Sequence, residues 1–128
     1  MEQSEPPEDV LRFIADRIDT VPHLEALLLV WESKQVALGP EELAARIYVS
    51  ADAAAQILKD LEQRKIVRTS RDTAQYVFDD SWDTTGELMA RVAATYRRHL
   101  IRIATLIHAK ASPSVREFAR AFESKKES

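Results

Sequence analysis

The sequence predicts a mostly helical domain carrying one small β-hairpin. Two observations support this. Apolar residues recur at helical spacing through most of the chain. Two short β-rich stretches, residues 66–69 and 75–78, flank the polar turn Ser70-Arg71-Asp72-Thr73. A chain of 128 residues and 14.5 kDa is about one domain, long enough to bury a core without staples.

Each element has its own signal. Residues 1–7 are acidic, contain Pro6-Pro7, and read as a tail. Val10, Leu11, Ile14 and Ile18 give a short helix over about 8–18. Thr20 reads as an N-cap, with Pro22 tolerated in the first turn. Leu24, Leu27, Leu28 and Trp31 follow, with Leu29 and Val30 on the other side, so this helix is apolar all round and should be central. Val36-Ala37-Leu38 is a short β-like stretch. Gly39-Pro40-Glu41-Glu42 is a strong helix start, with Leu43, Ala44 and Ile47 facing inward and an end near Tyr48. Ser50 caps the next helix, which buries Ala54, Ile57, Leu58 and Leu61 and ends near Arg64. After the hairpin, a single long helix is expected over about 84–109. Ser112-Pro113 then starts a last helix with Val115, Phe118, Ala119 and Phe122 on one face. The chain thus divides into an N-terminal tail and helix (1–20), a central unit (21–80) and C-terminal helices (81–128).

Composition excludes several kinds of chemistry. The only glycines are Gly39 and Gly86, too few for a phosphate-cradling loop. The absence of cysteine removes disulfides, thiolate metal sites and thiol catalysis. The longest apolar run, residues 26–31, falls far short of the ~20 residues of a membrane span. No signal peptide is evident, which predicts a cytoplasmic protein. His23, His99 and His108 form no i, i+4 pair, and Ser81, Ser112 and Ser114 have no neighbouring histidine base. Asp79, Asp80 and Asp83 lack the spacing of a calcium loop. No catalytic residue, metal or cofactor is therefore expected.

Charge is unevenly placed. The net charge is −3, yet residues 1–20 carry six acids and two bases, while residues 91–128 carry three acids and nine bases. Such polarity fits a nucleic-acid surface at the basic end, or oppositely charged ends that pair subunits.

A helix pair joined near Val49-Ser50 and followed by a hairpin is the order of a winged helix-turn-helix. The run PEELAARIYVSADAAAQILKDLEQRKIVRT, with QYVF after the turn, resembles bacterial winged-helix domains. Lys65 departs from that pattern, since many relatives have glycine there. The flanking helices resemble those of dimeric MarR-type regulators. The stretches Leu24-Glu25-Ala26-Leu27-Leu28-Leu29 and Phe118-Ala119-Arg120-Ala121-Phe122 resemble a group of uncharacterised small bacterial winged-helix proteins.

Two functions follow from this resemblance. One is a DNA-binding transcriptional regulator acting as a homodimer. The other is a protein-interaction module that has lost its DNA face. On the first reading, Gln56 and Gln63 reach base edges of double-stranded DNA, while Lys59 and the wing residues Arg68 and Arg71 meet phosphates. The exposed face of that helix also carries Asp52 and Glu62, which favours the second reading. Dimerisation is assigned to the C-terminal helices through Leu100, Ile103, Ile107, Phe118 and Phe122, because two apolar faces remain once the central unit is complete.

Overall fold

A computed structural model describes residues 6–34, 36–70 and 75–111. Six helices and one antiparallel hairpin are found among them.

Helix α1 (Glu8–Arg17) begins with two acids facing its dipole and buries Val10, Phe13 and Ile14. Helix α2 (Val21–Glu32) starts as expected, with the Thr20 side chain accepting from the His23 N–H and Pro22 in the first turn. It buries His23, Leu24, Ala26, Leu27 and Val30. Leu28, Leu29 and Trp31 are half-buried and pack on the same core, so α2 is covered on most sides.

Helix α3 (Pro40–Ile47) follows Gly39, whose N–H donates to Glu42 Oε1 at 3.0 Å. Tyr48 ends it in the left-handed region at φ 61°, and its side chain is 92% exposed. Helix α4 (Ala51–Gln63) is capped by Ser50, whose Oγ accepts from the Ala53 N–H at 3.0 Å. Lys65 closes α4 at φ 64°. The Lys65 N–H donates to the Glu62 carbonyl, and the Ile66 N–H to the Leu61 carbonyl. These two bonds are the pattern of a helix end that usually carries glycine, so the lysine sits in a conformation that disfavours a Cβ.

Strands β1 (Val67–Thr69) and β2 (Tyr76–Phe78) pair antiparallel, with Val67 opposite Phe78 and Thr69 opposite Tyr76. Leu38 exchanges both backbone hydrogen bonds with Tyr76, at 2.9 and 2.8 Å. The β-like stretch before α3 therefore contributes one bridge to the free side of β2. After the hairpin, Asp79 caps a 3₁₀ turn (Asp80–Trp82), and Trp82 stacks on Phe13 with ring centroids 5.2 Å apart. Trp82 also meets Phe78 of β2, with ring centroids 5.3 Å apart, and so links the middle of α1 to the hairpin.

The expected long helix is corrected here. It is two helices, α5 (Glu87–Arg98) and α6 (Leu100–Ala111), broken at His99 with φ −122° and ψ 46°. No proline or glycine marks the break, so periodicity could not reveal it. A straight helix over residues 84–109 would run about 39 Å, past the body of a domain this size. The break lets α6 return to pack on α1, α2 and α5, and Ile103 and Ile107 become wholly buried. The predicted last helix, with Phe118 and Phe122, lies outside the described residues.

Helix α5 is held to α2 by Tyr96, whose hydroxyl donates to Glu25 Oε2 at 3.2 Å. Burial, then the Glu25 charge and hydrogen bond, push this phenol from its ordinary 10.0 up to about 12. The folded state keeps a proton that the unfolded chain releases first. The resulting stability is complete below pH 10 and lost as pH rises from 10 to about 12. Denaturant midpoints across that window should fall in the wild type and fall less in Tyr96→Phe; equal slopes would show that Tyr96 titrates normally. Lys65→Gly should relieve the left-handed strain and raise stability by about 1 kcal/mol, read as an upward shift of the melting midpoint. Lys65→Ala should give no such gain.

Candidate functional site

Helix α4 presents Asp52, Ala55, Gln56, Lys59 and Gln63 to solvent, while Ala54, Ile57, Leu58 and Leu61 anchor its other side. Gln56, Lys59 and Gln63 stand three and four residues apart, so they share one helical face. Arg68 is exposed on β1, the strand that follows α4. The structure thus brings the expected residues of helix and hairpin onto adjoining elements. Arg71 lies outside the described residues.

The helix is tied down by a polar chain that sequence reasoning missed. Gln56 Nε2 donates to Asp60 Oδ1 at 2.8 Å. Asp60 Oδ2 lies 2.9 Å from His23 Nε2, and His23 Nδ1 lies 2.6 Å from the Thr20 hydroxyl. Burial pushes the Asp60 carboxyl up. The hydrogen bonds from His23 and Gln56, with the charges of His23 and Arg64, outweigh it and hold the group below its ordinary range. His23 and Asp60 are 37 residues apart, so no local spacing could have announced the pair.

Several bases are engaged by acids rather than presented together. Arg64 donates to Asp19 Oδ1 at 2.7 Å and to the Asp16 carbonyl at 3.1 Å. Arg91 on α5 pairs with Asp9 on α1. The Asp79 carboxyl is held low by the Ser81 hydroxyl, against a rise from burial, with further help from the Ser81 N–H and the Arg68 charge. Arg97 and Arg98 are exposed on α5, away from the hairpin strands in the chain.

Among the described residues, the groups able to hold a cation are Asp19, His23 and Asp60, whose ligand atoms lie within 4.8 Å of one another. Arg64 already sits on Asp19, and His23 Nε2 on Asp60, so a cation would have to displace both. The cluster works as a bridge between α2, α4 and the end of α1. Asp79 and Asp83 are also engaged: Asp79 caps Ser81, and Asp83 accepts from the backbone N–H groups of Leu88 and Met89.

Among the described residues, two of the surface grooves border α2. One of about 490 Å³ lies between α2, α3 and α5, with Leu28, Leu29 and Ile47 beneath Glu25, Arg46 and Arg97. The other, of about 450 Å³, has Trp31 and Phe78 beside Asp80 and Asp83.

The residues assigned to a dimer interface separate into three groups. Ile103 and Ile107 are 0% exposed and belong to the chain's own core, so their direct interface role is withdrawn. Leu100 is 49% exposed, and its neighbour Ile101 is 77% exposed. Phe118 and Phe122 lie outside the described residues. Among the described residues, no helix is long and apolar enough to cross a membrane.

No protein-family model matches the chain, and no curated protein matches it. Among solved structures, the crystal structure of RV1404 from Mycobacterium tuberculosis is similar with a TM-score of 0.48 and 16% sequence identity, over 100% of this chain and 98% of that one.

Proposed function

We propose that this chain is a cytoplasmic DNA-binding transcriptional regulator of the winged-helix type, acting as a homodimer and without chemistry of its own. In this reading α3 and α4 are the helix-turn-helix, α4 is the recognition helix, and β1 and β2 are the wing. The carrying observation is the exposed face of α4, where Gln56, Lys59 and Gln63 stand clear of the core, with Arg68 exposed on β1, the strand that follows. The glutamines supply paired donor and acceptor groups for base edges, and Lys59 and Arg68 supply charge for phosphates.

A second reading has its own support. Arg64 and Arg91 are paired with Asp19 and Asp9, and Asp52 and Glu62 share the helix with Lys59. Such a surface suits a protein partner better than a polyanion.

A titration of random duplex DNA at several salt concentrations separates the two. The wild type should bind more weakly as salt rises, and Lys59→Ala should lower the slope of log affinity against log salt by about one unit. Failure to bind any duplex at low salt gives first place to the interaction module.

The homodimer is supported by the exposed apolar pair Leu100 and Ile101 on α6. Light scattering at micromolar concentration should give twice the 14.5 kDa chain mass. Ile101→Glu should shift that mass toward the monomer while leaving the melting midpoint in place. A wild type at the monomer mass overturns the dimer.

A further inference from the structure

Gln56 is exposed, yet its amide is not free to turn. Its Nε2 donates to Asp60 Oδ1 at 2.8 Å, while Asp60 Oδ2 is fixed on His23 Nε2 at 2.9 Å. His23 is itself buried and held from behind by the Thr20 hydroxyl at 2.6 Å. A carboxylate can only accept, so the nitrogen of the Gln56 amide, and not its oxygen, must face Asp60. The favourable partners that keep Asp60 ionised act in the same direction.

This arrangement has a consequence for base recognition. A free glutamine amide has two N–H donors and one carbonyl acceptor. With both donors available it can approach the two acceptors of guanine, N7 and O6, or the acceptor–donor pair of adenine, N7 and N6. Asp60 removes one donor. One N–H and the carbonyl oxygen remain, which complements adenine. Against guanine, the carbonyl oxygen would meet O6 with no proton between them.

We infer that Asp60, fixed by His23, is a positioning residue that makes Gln56 a reader of adenine and an excluder of guanine. The inference rests on the DNA-binding reading above. It adds to that reading a specificity that the α4 sequence does not display, because Asp60 acts through Gln56 and His23 comes from another helix.

The test starts with selection of binding sites from a random duplex pool, using the wild type and Gln56→Ala. The base position whose preference disappears in Gln56→Ala is the one read by Gln56. At that position the wild type should favour adenine over guanine by about tenfold. Replacing adenine by 7-deazaadenine, which lacks the N7 acceptor, should weaken wild-type binding by about fivefold and leave Gln56→Ala unchanged. Asp60→Ala frees the second N–H, and its adenine preference should shrink to within about twofold of guanine while salt-dependent binding persists. The comparison of bases on the wild type needs no substitution of Asp60, so it stands even if Asp60→Ala lowers folding stability. Binding with guanine accepted as well as adenine, or an Asp60→Ala variant that keeps the wild-type preference, overturns the inference and leaves DNA binding intact. A wild type that binds no duplex removes the DNA-binding reading, and this inference with it.

Discussion

The fold depends on the burial of α2. A helix with Leu24, Leu27 and Val30 on one side and Leu28, Leu29 and Trp31 on another has no face to leave in water. It must be covered from several directions, and one neighbouring helix cannot do that. The chain supplies the covers in turn: α3 and α4 pack on α2, then β2, then α5 and α6. This requirement explains why the segments after the hairpin return to the body. It also explains the break at His99, since an uninterrupted helix would carry Ile103 and Ile107 away from the core they complete.

Apolar packing brings α4 close to α2 but constrains its rotation only loosely, because such contacts are weakly directional. The polar chain fixes that rotation. His23, a buried polar side chain among the apolar residues of α2, finds both its partners at hydrogen-bond distance, Thr20 behind it and Asp60 in front. A satisfied buried polar group rigidifies, whereas an unsatisfied one costs about 1–3 kcal/mol. Arg64 adds a second tie from the end of α4 to Asp19 and the Asp16 carbonyl. These ties use charge that could otherwise face a phosphate. On the DNA-binding reading, a net charge of −3 gives little long-range attraction, and binding would rest on local contacts along α4 and the hairpin.

What could be read from the sequence was local. Thr20, Gly39-Pro40 and Ser50 marked three helix starts, and each opens a helix in the structure. Ile66-Val67 and Tyr76-Val77-Phe78 marked the hairpin, whereas Lys65, where the resemblance implies glycine, left the form of the helix end open until the structure placed it at φ 64°. The unread features were set by tertiary contact. The His99 break has no breaking residue, because it is chosen by where α6 packs. The His23–Asp60 tie joins residues from separate helices, so neither residue's own neighbours predict it. The exposed residues of α4 were legible from their 3.6-residue spacing, but the Gln56–Asp60 bond that restrains one of them was not.

The same break reshapes the question of assembly. On one continuous helix, residues 100, 103 and 107 fall on a shared arc, which is why the sequence assigned all three to a partner. In the structure that arc lies wholly on α6 and faces the core, with Leu100 at its exposed end. Ile103 and Ile107 turn inward, and Leu100 and Ile101 remain outside. Leu100 and Ile101 project about 100° apart on α6, so they form two edges rather than one broad patch. Two side chains cover far less than the roughly 800 Å² per partner of a standard interface. A stable homodimer therefore needs apolar surface beyond these two side chains; downstream in the sequence, Val115, Phe118, Ala119 and Phe122 recur at helical spacing. On the dimer reading, Leu100 and Ile101 supply only part of the interface, and the sequence assigned the remainder to Phe118 and Phe122 as well.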